Sequence, residues 1–222
     1  MSRIATPAIG RRHALRGGLV VAVAGLSAAA DGPAARAAAR SATPRQTEGP
    51  FYPVDWSGDA DADLVQVHGE AARATGRILH LRGRVVGLDG SPRAGARVEI
   101  WQCDAQGVYR HPRDERGGRR REPGFQGRGF CSADADGAYG FRTIRPVAYP
   151  GRTPHIHVKV TAPGHATLVT QAYVDGEPQN ERDAVLNAIR DPRQRASVIM
   201  RLEPAERIEA GALAGLFDIV LA

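Results

Sequence analysis

The chain has 222 residues, 42% of them hydrophobic and 24% charged, with a formal net charge of +6. That balance fits one globular domain with a non-globular end. It does not mark a nucleic-acid binder: residues 1–40 hold six arginines against one acid, Asp31, and so carry +5, leaving +1 for residues 41–222.

The basic end has the order of a signal peptide. Arg11, Arg12 and Arg16 precede an alanine- and glycine-rich apolar run over 17–30, and small residues suited to a signal peptidase follow at Ala30, Ala37 and Ala39. The Arg11-Arg12 pair points to the twin-arginine route, hence to a periplasmic or extracellular protein. A permanent membrane anchor is not expected, because a spanning helix needs about 20 predominantly apolar residues. Residues 1–40 are therefore read as signal and linker, and 41–222 as the folded domain. In an oxidising compartment Cys103 and Cys131 are expected to pair, a cross-link worth about 3 kcal/mol in the chain-entropy model.

Along the domain, residues 41–46 read as polar linker, and Thr47-Glu48-Gly49-Pro50-Phe51-Tyr52-Pro53 must be extended or turning because of its prolines. Residues 54–76 are acidic, lack a period, and read as a loop lying over the domain. Strands follow at 78–86 and 97–102, with Leu88-Asp89-Gly90 as a turn. Residues 113–121 are basic and glycine-containing and read as a solvated loop. Further strands are expected at 138–142, 155–160, 167–173, 197–202 and 216–221, with one short helix over 181–189 ended by Asp191-Pro192. The fold class is all-β: a β-sandwich of mixed and antiparallel strands with long loops and one short helix.

The segment richest in chemistry is Tyr149-Pro150-Gly151-Arg152-Thr153-Pro154-His155-Ile156-His157. On a strand, side chains two apart share a face about 7 Å from one another, so His155 and His157 can converge on one ion while Ile156 and Val158 face the core. An edge strand with two incidental histidines fits the bare spacing equally well. Zinc and ferrous readings lack partners, since there is no Cys-x-x-Cys, no His-Glu-x-x-His and no carboxylate at the expected positions. Tyrosine is the oxygen donor on offer. Its pKa of about 10 demands a strongly acidic cation, which ferric iron provides better than zinc.

These residues resemble the intradiol ring-cleavage dioxygenases. The likeness runs from about Thr47 to Arg182 through Thr47-Glu48-Gly49-Pro50-Phe51-Tyr52, Gly83-Arg84-Val85-Val86, the run from Ala96 to Tyr109, Phe141-Arg142-Thr143-Ile144-Arg145-Pro146, the histidine strand and Thr170-Gln171-Ala172-Tyr173. The resemblance implies a non-haem ferric iron held by Tyr109, Tyr149, His155 and His157. It implies that a catechol-type diol chelates the metal, displaces Tyr149, and is opened by dioxygen between its hydroxylated carbons to a muconate-type diacid. Arg152 would stabilise the carbanion-like ring, Gln171 would position groups near the iron, and Tyr52 is a candidate for the substrate pocket. Trp101 and Phe141 read as core, Tyr139 and Tyr173 as structural, and His68, His80, His111 and His165 as surface residues. The chain lacks the long N-terminal helical segment of catechol and hydroxyquinol dioxygenases, which favours the protocatechuate-like branch and leaves room for a homo-oligomer. The competing expectation is a non-catalytic β-sandwich module that binds aromatic or polymeric ligands through its loops.

Overall fold

A computed structural model describes residues 40–115 and 118–222. The expected signal peptide, with its Arg11-Arg12 pair and candidate cleavage sites, lies outside the described residues. The rest is an all-β sandwich of two five-stranded sheets.

The first sheet is organised by β1 (Ile78–Gly87), whose alternating pattern sends Leu79, Leu81 and Val85 inward and Arg82 and Arg84 outward. One edge of β1 pairs antiparallel with β4 (Ala138–Ile144). The other edge pairs parallel with β9 (Leu213–Leu216) and then with β10 (Ile219–Leu221), while β8 (Leu202–Pro204) extends the sheet beyond β9. The strand expected over 216–221 is thus two strands, broken at Phe217-Asp218. The break has a packing cause: a Cβ at Gly83 would stand 1.9 Å from the Phe217 carbonyl oxygen, so only glycine lets the chain cross there. Phe217 N donates to Arg82 O, and the buried Tyr139 hydroxyl donates to Phe217 O.

The second sheet runs β3-β2-β5-β6-β7, with β2 (Arg97–Trp101), β3 (Arg128–Ser132), β5 (His155–Thr161), β6 (Leu168–Val174) and β7 (Ile199–Met200). Val98, Ile100, Ile156, Val158 and Val160 point inward and are fully buried in the core between the sheets. Each such side chain contributes about 1.5–3 kcal/mol of burial. The opposite face carries the polar and aromatic residues of interest, and the antiparallel register sets Trp101 beside His157, His157 beside Gln171, and His155 beside Tyr173.

Several expectations change. β3 went unread, because Arg-Gly-Phe-Cys-Ser shows no alternation. The expected helix over 181–189 is a 3₁₀ turn (Pro178–Glu181) followed by α2 (Ala184–Asn187), with Asp183 capping α2. Asp191-Pro192, read as a stop, instead starts α3 (Pro192–Ser197), with Asp191 as cap and Pro192 in the first turn. This helix occupies the start of the strand expected over 197–202. With α1 (Pro112–Glu115), the described residues contain three short α-helices, not one.

Residues 41–46 are no free linker: Thr43 N donates to Val220 O, Gln46 N donates to Val169 O, and Thr43 is buried. Residues 54–76 enter the core through the fully buried Leu64 and Val65. The basic loop is tied down by Arg119, which pairs with Asp114 and donates to Gly107 O, and by the Arg121–Glu115 pair. His111 is buried, against the surface placement expected for it.

Both cysteines are free, correcting the expected disulfide. The ladder pairs Cys131 with Val98. Cys103 lies five residues further along that chain, and at about 3.3 Å per residue that is well beyond the roughly 7 Å Cα limit of a disulfide.

Candidate metal centre and active site

Three loop segments close over the outer face of the second sheet. After β2 the chain turns through Asp104, a buried carboxylate that accepts from Gln106 N, Val108 N and Glu122 N. This turn delivers Tyr109, whose backbone N–H donates to Asp114 Oδ2. Gly107, at φ 75°, lies so near the next loop that a Cβ would stand 3.2 Å from Ala148 O. The two tyrosine-bearing loops are thereby pressed together, and the Tyr109 and Tyr149 rings meet edge to face at 5.4 Å. Tyr149 opens a turn closed by Arg152 N donating to Tyr149 O, after which Thr153 leads into β5.

His155 and His157 project from one face of β5, and their Nε2 atoms face each other 3.2 Å apart. His155 Nδ1 lies 2.6 Å from Thr153 O. A proton on Nδ1 donated to that carbonyl leaves the Nε2 lone pair directed at the site. Burial, reinforced by the Arg152 charge, lowers the His155 pKa to about 4. Burial, then the neighbouring His155 and Arg152, holds His157 well below the ordinary imidazole range. Both rings are therefore neutral at pH 7, the form in which imidazole binds a metal. Trp101 stacks on His157 at 4.8 Å and 8°, and Gly49, at φ 73°, brings the 47–53 segment against His157 Cε1. Trp101 is thus a wall of the site as well as core.

The tyrosines differ. Tyr109 is buried and stacked on Phe51 at 4.7 Å, and its hydroxyl finds no partner at good hydrogen-bond geometry among the described residues, although it interacts with the neighbouring Tyr149 phenol. Burial drives its pKa well above the ordinary value, with Cys103 and Tyr149 adding to the rise. Tyr149 is half-buried; burial raises its pKa, and the charge of Arg152 opposes that rise. A phenol left unpaired in a dry site is costly, and a cation beside it removes the cost by stabilising the phenolate. Among the described residues no group of three or more His, Cys, Asp and Glu could hold a metal; the side chains beside the two imidazoles are phenols, with the Tyr109 ring centroid 6.0 Å from His157 and that of Tyr149 5.5 Å from His155.

Arg152 NH1 lies 3.4 Å from the Tyr149 hydroxyl, NH2 donates to Gln171 Oε1 at 2.5 Å, and Nε donates to Asp183 Oδ2 at 2.8 Å. Gln171 Nε2 donates to Thr47 O, and Gln46 Nε2 donates to the Tyr173 hydroxyl. The structure thus brings Tyr109, Tyr149, Arg152, His155, His157 and Gln171 into one cluster. Tyr52 stands at its rim: its hydroxyl donates to Glu99 Oε2 at 2.9 Å, its ring meets Trp101 edge to face, and the Lys159 ammonium sits 4.0 Å from the ring centroid. Sequence reasoning missed Gln46 and Asp183. Gln46 carried no signal, but Asp183 stood one residue ahead of the apolar Ala-Val-Leu, the position of a helix cap.

Residues 47–222 match the family model described as Dioxygenase (Dioxygenase_C). The chain belongs to the intradiol ring-cleavage dioxygenase family. It is 34% identical over 185 residues to the protocatechuate 3,4-dioxygenase beta chain of Burkholderia cepacia, covering 80% of this chain and 78% of that one. It is 33% identical over 188 residues to catechol 1,2-dioxygenase 2 of Acinetobacter lwoffii, covering 72% of this chain and 64% of that relative, so it spans less than two thirds of the latter's length. The dioxygenase domain of a dioxygenase carbohydrate-binding protein fusion from Streptomyces sp. SirexAA-E has a TM-score of 0.63 at 35% identity, covering 82% of this chain and 98% of that one. Within this intradiol family the match continues to residue 222, past the end of the motifs read from the sequence near Arg182.

Proposed function

We propose that this protein is a non-haem Fe(III) intradiol dioxygenase that opens a catechol-type ring with dioxygen to a muconate-type diacid, with Tyr109, Tyr149, His155 and His157 as iron ligands. The observation that carries the reading is the buried Tyr109 hydroxyl, without a well-formed hydrogen bond among the described residues, in a cluster where two neutral imidazoles turn their Nε2 atoms to one point. Two phenols and two imidazoles form a donor set suited to a trivalent, oxygen-seeking cation. Bound there, ferric iron would act as a Lewis acid toward both oxygens of the diol and render the ring reactive toward dioxygen.

The protein's own groups divide the remaining work. Tyr149, half-buried and beside Arg152, would be the more exposed of the two phenols at such an ion, and its oxygen would accept one of the two protons that a diol bound through both oxygens releases, the other passing to solvent. Arg152 keeps its charge, and with its fork fixed by neighbours it would present a preorganised cation to negative charge developing on a bound ring. Gln171 accepts from Arg152 and anchors to Thr47 O, holding that fork without competing as an anionic ligand. Phe51 and Trp101 keep water from the buried side. The match to a protocatechuate 3,4-dioxygenase beta chain over 78% of its length supports protocatechuate as an early substrate to test. The Arg11-Arg12 signal pattern supports export by the twin-arginine route, which adds extracellular phenols to the substrate panel.

The test is an oxygen-uptake screen of the iron-loaded protein with catechol, protocatechuate, hydroxyquinol and substituted catechols, with products identified by mass. The expected result is a reddish protein that consumes oxygen and yields a diacid carrying both oxygen atoms. A folded protein that takes up no iron and leaves every diol intact would overturn the reading.

A further inference from the structure

Asp183 belongs to neither the ligand set nor the groups that would face substrate, yet it is the carboxylate that meets Arg152. Its side chain is fully buried, and its two oxygens serve different parts of the molecule. Oδ1 accepts from Val185 N at 3.0 Å and Leu186 N at 2.9 Å, capping α2. Oδ2 accepts from Arg152 Nε at 2.8 Å and from Thr153 N at 3.0 Å. A buried carboxylate is tolerable when donors surround it, and four N–H groups do so here.

The consequence for Arg152 is geometric. Its guanidinium is gripped at Nε by Asp183 and at NH2 by Gln171 Oε1, with the Tyr173 hydroxyl 3.5 Å from NH2. These contacts fix the plane of the fork and leave NH1 toward the Tyr149 hydroxyl. Gln171 and Tyr173 are neutral, so Asp183 is the only one of these three that holds the arginine by charge as well as by direction. The same Oδ2 atom binds the amide of Thr153, whose carbonyl faces His155 Nδ1. One oxygen thereby ties the arginine and the start of β5 to the cap of α2.

We propose that Asp183 is a positioning residue for the reaction: it docks α2 against the site and locks the Arg152 fork so that NH1 addresses Tyr149. Its effect on turnover rests on the dioxygenase reading above; its effect on Arg152 does not.

Two readouts separate these. Asp183→Ser keeps a capping oxygen for α2 but removes the arginine contact. Asp191→Ala removes the cap of α3, whose Oδ1 accepts from Arg193 N and Gln194 N and contacts neither Arg152 nor the proposed ligands, and serves as the control for lost stability alone. In metal-free protein, the Arg152 Nε–H resonance, assigned by its absence in Arg152→Lys, should be protected from solvent exchange in the parent and in Asp191→Ala. In Asp183→Ser that protection should be lost. In iron-loaded protein, kcat per bound iron should fall in Asp183→Ser by about 10- to 100-fold, as for other groups that orient a metal site's working residues, while KM moves by less than about threefold. Asp191→Ala should keep kcat while lowering Tm. If the serine variant does not fold, Asp183→Asn, which keeps the size and one acceptor, gives the same readouts. A protected Arg152 Nε–H in the Asp183 variant, or a kcat per iron within about twofold of the parent, would overturn the proposal. If the parent binds iron but cleaves no diol, the dioxygenase reading falls, and the exchange experiment still decides whether Asp183 positions Arg152.

Discussion

Two arginines anchor polar networks on opposite sheets, and they are answered differently. Arg142, on β4, gives Nε and NH2 to the two oxygens of Glu209 at 2.9 and 2.6 Å and NH1 to both oxygens of Asp63 at 3.1 Å, while Glu209 also meets His80 at 3.0 Å. Two carboxylates saturate it, and those contacts fasten the 59–65 loop and the 205–212 turn to the first sheet. Arg152 meets one carboxylate, and its other contacts are a neutral amide and two phenols. Full neutralisation serves the architecture; partial neutralisation leaves a directed positive charge where electron density can be received. The same residue type thus has two roles, distinguished by what stands opposite its last nitrogen.

The sharpest test of that contrast removes the group the site cannot spare. On the iron reading, Tyr109→Phe should abolish the red phenolate-to-iron colour contributed by that tyrosine and reduce turnover by more than the roughly 100-fold typical of losing an outer-sphere partner, as measured by visible absorption and oxygen uptake. Arg152→Lys, which keeps the charge but not the fork, should lower kcat by about 100-fold with iron content unchanged, read by metal analysis alongside steady-state kinetics. Arg142→Met should do the reverse: kcat per iron unchanged, and stability lower by about 1–2 kcal/mol in urea melts, since partial exposure screens the pairing.

The smallest effect is a pH dependence. Hydrogen bonds from Arg142 hold the Glu209 carboxyl at about 2, against an ordinary 4.5. Because the folded value is depressed, the stabilisation is present in full above pH 4.5 and is lost as pH falls toward 2. The Tm gap between the parent and Glu209→Gln should therefore be constant near neutrality and close across that acidic window. A gap that persists at pH 2 would mean that Glu209 acts through packing.

The fold was readable where alternation was clean. The strands at 78–87 and 155–161 match their expected positions within a residue, because one face of each must be buried. It was unreadable where the chain follows a neighbour: β3 is held by the ladder to β2, and the break at Phe217 is set by the close approach at Gly83. In the site, strand geometry alone made His155 and His157 neighbours. Tyr109 and Tyr149 rested on resemblance, since nothing local says that Gly107 will pack one tyrosine loop on the other. Asp183 was hidden inside an expected helix, and the expected Cys103–Cys131 bond failed because spacing along the chain says nothing of register across it.

That register has a consequence of its own. Trp101, His157 and Gln171 form one lateral row across β2, β5 and β6. A slip of one residue in β5 would turn both imidazoles into the core and set Ile156 and Val158 in their place. No misaligned molecule could then keep its metal-binding capacity, whatever its secondary structure content. On the iron reading, the colour of a refolded preparation becomes a direct count of chains whose strands have paired in the right frame, a quality measure that circular dichroism cannot supply.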